Sequence, residues 1–294
     1  MKKSSGAVYN KYLQNLCIDD EQLAKLKQAN LDLLQDLHDI CVKNDITYSI
    51  AYGTMLGAVR HAGFIPWDDD IDVVMKRADY EKFRKIVAEE YGKDFWVRDR
   101  DSEKICPYYF GKFMKKGTVL TECQTEGFPQ KYGIYIDIFV LDYVPQSGLK
   151  RKIAKFNFTL GARMASLSCD FRFPSRTIME AGKKHKELGS YYKKRRLLGF
   201  FASILPIRFW TKLSLRAVRS EKPSDKLWTG IWLKIQPATD MENLKEYEFE
   251  GRKFFGFADY DVYLKSQYGN NYMQLPPEEK RERHMIIEME LDKE

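Results

Sequence analysis

Three aspartates at alternate positions are the strongest chemical signal in the sequence. Asp68, Asp70 and Asp72 lie in the run Ile65-Pro-Trp-Asp-Asp-Asp-Ile-Asp-Val73, and in an extended strand side chains two residues apart share a face. Three carboxylates on one face repel each other unless a cation lies between them, and Mg²⁺ is typically bound by carboxylates together with substrate phosphate oxygens. The run therefore predicts a site for Mg²⁺ or Mn²⁺, with Asp70 and Asp72 as its principal ligands and Asp68 as a third.

A fourth aspartate, Asp137, is the one acidic residue of the strand-like run Ile134–Val140. Isoleucine and valine occupy the alternate positions of that run, so Asp137 faces the other side, where a buried carboxylate is costly without a cation or donor. The pattern alone fits a hydrogen-bonded structural aspartate equally well, and the upstream triplet favours the site. Asp137 is then expected to bind a second cation or to accept the proton of a hydroxyl group.

Two further positions could contact phosphate. Gly53 and Thr54 form a turn after a strand and before a short helix, where backbone N–H groups and a hydroxyl would face an anion. Lys112 lies in a strand-like segment and is a weaker candidate, because a surface lysine is the commoner outcome.

The elements that must position these residues follow from hydrophobic periodicity and turn signals. Helices are predicted at 20–44, capped by Asp19 or Asp20, at 55–61, from Asp79 onward, at 259–268 and from Pro276. Strands are predicted at 46–52, 64–75, 108–113, 118–122 and 134–141. This alternation indicates an α/β (α+β) fold with a mixed sheet and flanking helices.

Charge is unevenly distributed along the 294 residues. The formal net charge is +7, but residues 150–222 hold 19 Lys or Arg against 4 Asp or Glu, or +15, which leaves −8 for the rest. The sequence therefore divides into a catalytic core at 1–148, a basic and mainly helical insertion at 149–235, and a segment at 236–294 that packs back on the core.

One stretch of the basic insertion, 191–210, places four consecutive cations before an apolar and aromatic block. Such a stretch can lie in a membrane interface, and packing of its apolar face on the core is equally open at this stage. We find no signal peptide and no nucleic-acid-binding motif, so nucleic acid is not an expected partner.

Two motifs resemble the LicD family, which is similar to fukutin and fukutin-related protein and has a nucleotidyltransferase fold. The first is Ala51–Val73, with Gly-Thr-Met-Leu-Gly-Ala-Val-Arg-His followed by Ile-Pro-Trp-Asp-Asp-Asp-Ile-Asp; the second is the tail from Tyr263 to His284. In the family the Arg60–His61 pair belongs to the motif, which implies contact with phosphate or nucleotide, although an ion pair between Arg60 and an aspartate is equally open. His284 matches the family pattern without an assigned role.

The resemblance implies transfer of a substituted phosphate, most simply phosphocholine from CDP-choline, to a hydroxyl of a lipid-linked or polymeric cell-surface glycan such as a teichoic-acid or lipopolysaccharide precursor. CMP is released, and the enzyme is expected in the cytoplasm or at the inner face of the plasma membrane. A different CDP-linked polyol phosphate is an alternative donor. An Asp-x-Asp glycosyltransferase would explain the carboxylates but not the Gly-Thr helix. An EF-hand-like calcium loop would need glycine where this sequence has Val73 and glutamate where it has Asp79.

Overall fold

The structure, a computed structural model, describes residues 5–13, 18–103, 105–106, 108–220, 222–229, 233–278, 281 and 283–291. The helices in these ranges are α1 (Ser5–Leu13), α2 (Asp20–Lys43), α3 (Tyr52–His61), α4 (Arg77–Glu90), α5 (Gly148–Arg172), α6 (Arg176–Lys184), α7 (Lys186–Ala202), α8 (Ile207–Val218) and α9 (Tyr260–Tyr268). The strands are β1 (Ser49–Ile50), β2 (Asp72–Lys76), β3 (Phe95–Arg98), β4 (Gly111–Lys115), β5 (Val119–Glu122), β6 (Tyr135–Tyr143), β7 (Lys226–Thr229), β8 (Ile235–Pro237), β9 (Leu244–Phe249), β10 (Arg252–Phe257) and β11 (Ile286–Glu290). The predicted α+β fold class is confirmed.

A mixed sheet forms the centre of the fold. Its strands follow the order β3–β4–β6–β2–β1–β10–β9, and β7 and β8 extend it beside β6. Strand β6 runs parallel to β2 and antiparallel to β4, and all but its last residue are buried. Strand β11 pairs with β5 in a separate two-stranded sheet. Strand β6 thus lies between β4 and β2, the other two strands that carry predicted site residues.

Helix α2 forms as its sequence predicts. The Asp19 side chain accepts the Gln22 N–H, and the Gln22 side chain accepts the Asp19 N–H, which together make a capping box. One face of the helix is buried in the core, through Leu23, Leu26, Leu33, Leu34, Leu37, Ile40 and Cys41.

The strand predicted at 64–75 is much shorter than expected. Strand β2 begins only at Asp72, and the residues before it form a turn in which the Asp68 N–H donates to the Ile65 carbonyl at 2.9 Å. Pro66 has no N–H for a strand ladder, and the turn that it enters delays the start of the strand. The predicted alternation of Asp68 and Asp70 with Asp72 on one strand face is therefore wrong.

Two helix starts also differ from the prediction. Helix α3 begins at Tyr52 rather than Met55, so Gly53 and Thr54 lie in its first turn. Asp79 does not cap α4, which begins two residues earlier; its carboxylate accepts the Thr47 N–H at 3.2 Å. The helix predicted from Pro276 runs into residues 279–280, which lie outside the described residues.

Helices α5 to α8 pack on one another within the basic segment. A side chain at Gly161 of α5 would meet the backbone of Trp210 and Ser214 in α8, and one at Gly199 of α7 would overlap the Leu167 carbonyl. These glycines let the helices approach closely. The helical part ends at Val218, after which β7 and β8 join the central sheet. Within the described ranges, no helix combines the length and the apolar character needed to cross a bilayer.

Candidate functional site

Sheet register brings three ionisable side chains into one row. Asp72 on β2 is the register partner of Asp137 on β6, and Asp137 is in turn the partner of Lys112 on β4. Register partners on neighbouring strands project to the same face of a sheet. The row explains why a carboxylate 65 residues from the triplet shares its site.

Asp70 joins this row from the turn before β2. One carboxylate oxygen each from Asp70, Asp72 and Asp137 lie within 4.8 Å of one another. They line a cavity of about 380 Å³. Among the described residues, these three carboxylates form one of the two groups close enough to share a cation. Asp70, Asp72 and Asp137, all predicted as ligands, are therefore brought together by the fold.

Asp68 also lines the cavity but lies on the side of Gly53. A Cβ atom at Gly53 would lie 2.8 Å from the Asp68 carboxylate, so this position leaves room for little more than hydrogen. Asp68 belongs to neither compact group of potential ligands. Its predicted role as a metal ligand remains a prediction.

Burial and mutual repulsion raise the pKa values of Asp68 and Asp72 in the cavity. Desolvation, reinforced by Asp70 and Asp137, raises the pKa of Asp72 well above its ordinary value. Desolvation likewise raises the pKa of Asp137 to about 7, although the Lys112 ammonium opposes the shift. Desolvation and the neighbouring carboxylates act in the same direction on the pKa of Asp68. Such a concentration of negative charge favours the binding of a cation.

Lys112 is buried rather than exposed on the surface. Its ammonium group lies 2.8 Å from an Asp137 carboxylate oxygen and 3.1 Å from the centroid of the Tyr135 ring, and its side chain is 2% exposed. The surface alternative for Lys112 is thus wrong. Because its charge is committed to Asp137, Lys112 orients that carboxylate, and its position does not favour direct phosphate contact.

The first turn of α3 lies against the start of β2. The Thr54 hydroxyl accepts the Asp72 N–H at 2.8 Å and is 3% exposed, while the Ala51 N–H donates to the Asp72 carbonyl at 2.9 Å. Thr54 thus fixes the backbone of a predicted metal ligand, and it is not among the residues that line the cavity. Gly53, by contrast, lines the cavity itself.

Arg60 and His61 lie at the far end of α3. The Arg60 guanidinium donates to the Tyr272 carbonyl at 2.9 Å, and Arg60 lines a second cavity of about 620 Å³ together with Trp67. Its described contacts therefore do not support the alternative of an ion pair with an aspartate. Gly53, Asp68 and Tyr268 border both cavities.

The tail supplies two contacts that the sequence did not predict. The backbone N–H of His284 donates to one Asp69 carboxylate oxygen at 2.9 Å, and its ring Nδ1 lies 2.7 Å from the other. Desolvation opposes charge on His284, but Asp69 and Asp70 raise its pKa well above the ordinary value. On the predicted strand Asp69 alternates with Asp68 and Asp70 and faces away from the site, so the sequence predicts no role for it. The one sequence feature that pointed to a contact from the tail was His284, which matches the LicD-like motif.

Helix α1 also reaches the cavity, where Tyr9 and Asn10 form part of the wall. No sequence pattern predicted this.

Comparison with known proteins decides the family. The family model for the LicD/FKTN/FKRP nucleotidyltransferase domain matches residues 45–178. The chain is also 30% identical over 279 residues to the lipopolysaccharide cholinephosphotransferase LicD of Haemophilus influenzae, covering 94% of this chain and 98% of that protein. The chain belongs to the LicD family. The prediction that it is a transferase enzyme of this family is confirmed.

Two further matches cover a smaller part of the sequence. An uncharacterized protein of Rickettsia prowazekii is 33% identical over 99 residues, 32% of this chain and 37% of that protein. One of Rickettsia typhi is 46% identical over 74 residues, 25% and 24% of the two chains. The nucleotidyltransferase domain contains the Asp68–Asp72 run, Lys112 and Asp137, whereas His284 lies beyond it.

Proposed function

We propose that the chain transfers phosphocholine from CDP-choline to a hydroxyl group of a cell-surface glycan and releases CMP. One observation carries the proposal: the carboxylates of Asp70, Asp72 and Asp137 converge within 4.8 Å in a cavity that several aromatic side chains also line. The name of the Haemophilus influenzae relative, a lipopolysaccharide cholinephosphotransferase, supports both the transferred group and a lipopolysaccharide-type acceptor.

The site's donor set fits a divalent cation. Three carboxylate oxygens at this spacing are hard ligands of the kind that Mg²⁺ and Mn²⁺ prefer. Desolvation and mutual repulsion raise the pKa of Asp72, and a bound cation would relieve that repulsion. Asp70 and Asp72 would hold the ion, with Asp137 and Asp68 as neighbouring carboxylates. When bound, the ion would neutralise charge on the transferred phosphate.

The chain's own residues would then position and deprotonate the acceptor. The acceptor oxygen attacks the choline-bearing phosphorus, the bond from that phosphorus to the CMP oxygen breaks, and the hydroxyl proton must leave. We assign this proton to Asp137, through the carboxylate oxygen that does not contact Lys112. Against the effect of desolvation, the Lys112 ammonium lowers the pKa of Asp137, which favours the ionised form that can accept a proton.

An aromatic wall supports choline as the alcohol. The Phe139 ring lies 4.9 Å from that of Tyr52 and 4.8 Å from that of Phe110, and all three line the cavity beside the carboxylates. Aromatic faces attract a quaternary ammonium group and offer no comparable attraction to an uncharged polyol. This arrangement favours phosphocholine over another CDP-linked alcohol.

The adjoining cavity of about 620 Å³ is the place we propose for the cytidine end of the donor. Trp67 and Tyr268 offer ring surfaces there, and Arg60 offers a positive charge near the border with the first cavity. This keeps the predicted nucleotide contact of Arg60, with His61 beside it. Because nucleotide-activated donors are cytoplasmic compounds, we propose that the reaction occurs in the cytoplasm, on a lipid-linked or polymeric acceptor.

The test is a donor screen with purified chain, a lipopolysaccharide-derived oligosaccharide, and Mg²⁺ or Mn²⁺. We expect CMP release and a phosphocholine-sized mass increase of the acceptor with CDP-choline, at a higher kcat/KM than with CDP-ribitol or CDP-glycerol. Preference for a CDP-polyol would reject the choline assignment. Release of a nucleoside diphosphate from a sugar nucleotide would reject phosphotransfer itself.

A further inference from the structure

The tip of the α7–α8 hairpin exposes an unusual amount of apolar surface. Ile204 is 77% exposed, Leu197 62% and Phe201 59%. The hairpin tip as defined here consists of the exposed apolar side chains between residues 197 and 209: Leu197, Leu198, Phe200, Phe201, Ile204, Leu205 and Phe209. Contiguous apolar patches of this kind mark interaction sites.

This tip is held in place by the rest of the helical segment. The Trp210 indole N–H donates to the Ala202 carbonyl at 2.8 Å, and the Arg172 guanidinium donates to the Ser203 carbonyl at 2.8 Å. Two carbonyls at the end of α7 are thereby satisfied. Close packing at Gly161 and Gly199 fixes the hairpin against α5. The fold thus holds these apolar side chains outward.

The charged side chains of the tip segment itself are all of one sign, although its Arg195 pairs with Asp170 of α5 at 2.5 Å. Residues 188–219 contain eight Lys or Arg and no Asp or Glu. Lys193 and Lys194 are exposed one helical turn before Leu197 and Leu198, and Arg208 is exposed next to the apolar Phe209. An apolar tip ringed by cations matches an anionic bilayer, where headgroups meet the cations and acyl chains meet the apolar side chains.

A groove at the base of the tip fits the same occupant. It has a volume of about 540 Å³ and lies between α5 and the hairpin, with walls formed by Phe156, Leu160, Leu167, Leu198, Phe201 and Trp210. Such a groove can take the end of an acyl chain. A second copy bound through the same tip would bring the charge of +15 in residues 150–222 against an equal charge, and a nucleic acid would leave the apolar tip uncovered.

We propose that the hairpin tip docks the enzyme on an anionic phospholipid bilayer. This docking goes beyond the proposed reaction and does not depend on it. Of the two alternatives that the sequence left open for 191–210, it selects the membrane interface for the tip, while Tyr192 and Gly199 on the opposite face of α7 pack inside the protein.

The test is flotation with vesicles of phosphatidylcholine alone or mixed with phosphatidylglycerol. We expect the wild-type chain to float with the anionic vesicles. The double variant Phe201→Ser/Ile204→Ser is expected to lose about tenfold or more in vesicle affinity, because it removes two large apolar side chains from the interface. The matched control Val42→Ser/Val262→Ser, in which both valines are 56% exposed elsewhere, should bind as wild type. Should the double variant not fold, Ile204→Ser replaces it.

The charged ring is tested separately with Lys193→Gln/Lys194→Gln. We expect this variant to lose about fivefold in affinity per cation on anionic vesicles. Wild-type chain that floats with neither vesicle, or equal binding by the tip variant and its matched control, would overturn the proposal. Light scattering tests whether a second copy of the chain covers the tip instead. If the wild-type chain self-associates without binding vesicles, and the tip variant does not self-associate, the occupant is a second copy.

Discussion

Asp72→Asn should have opposite effects on stability and on catalysis. The change keeps the size and shape of the side chain but removes one of the charges that converge in the cavity. One carboxylate oxygen each from Asp72, Asp70 and Asp137 lies within 4.8 Å of the other two. In the absence of a divalent cation these charges work against the fold, so their partial removal should stabilise it.

The size of the gain follows from Coulomb's law. Two ionised carboxylates 4.8 Å apart repel by about 3 kcal/mol at an effective dielectric constant of about 20. The raised pKa values of Asp72 and Asp137 mean that protonation already relieves part of this repulsion. We therefore expect Asp72→Asn to stabilise the metal-free chain by about 1–2 kcal/mol, which corresponds to a rise in Tm of about 2–4 °C for a chain of this size.

The assay is thermal unfolding at pH 8 after chelation, repeated with added Mn²⁺. Mn²⁺ should raise the Tm of the wild-type chain, because a ligand that binds only the folded state stabilises it, and should raise that of the variant much less. Transfer of phosphocholine should fall by about 10³-fold or more. The matched control is Asp225→Asn, a carboxylate whose side chain is 82% exposed, and it should change neither quantity.

A lower Tm for metal-free Asp72→Asn would refute the reasoning, because it would mean that the carboxylate stabilises the fold and is not held there at a cost. An equal Mn²⁺ response in variant and wild type would separately remove Asp72 from the cation site.

Three further predictions follow from single contacts. Gly53→Ala should abolish activity with little loss of stability, because its methyl group displaces only the Asp68 carboxylate 2.8 Å away. The control Gly57→Ala should lower the Tm, because its methyl group collides with the Gly63 carbonyl. Equal Tm values for the two variants would contradict this. Lys112→Met should cost about 3 kcal/mol in urea unfolding, since it leaves its buried carboxylate partner uncompensated; a cost below 1 kcal/mol would be inconsistent with an ionised pair. His284→Ala should destabilise the tail by about 1–2 kcal/mol, and His284→Asn should do so by less, because asparagine can restore the hydrogen-bond donor to Asp69. Hydrogen exchange of the β11 amides would measure this difference. Identical exchange rates in the two variants would argue against the contact.

Local pattern was enough to predict part of the site. Asp72 and Asp137 lie in strands with clear apolar alternation, and the first motif of the LicD family contains the acidic run. The extent of β2 was mispredicted because alternation of Asp68, Asp70 and Asp72 looks like a strand, while Pro66 and the turn before β2 break it.

Long-range pairings were out of reach of local pattern. Lys112 resembled a surface lysine, because only the register between β4 and β6 reveals its buried partner. Asp69 and His284 are 215 residues apart, and no local periodicity connects them. The exposed hairpin tip could not be told from a packed helix face, because both have the same composition.

The contact between Asp69 and His284 also sets an order of events during synthesis. The central sheet is complete once β10, ending at Phe257, has been made, so the row of Asp72, Asp137 and Lys112 can form while the tail is still being translated. Asp69 then has to remain without its partner His284 until the chain is 215 residues longer. A chain that ends before residue 284 would have a folded sheet, but its acidic site would lack the contact between His284 and Asp69. Such a product should be recognisable by its sensitivity to protease rather than by loss of the fold.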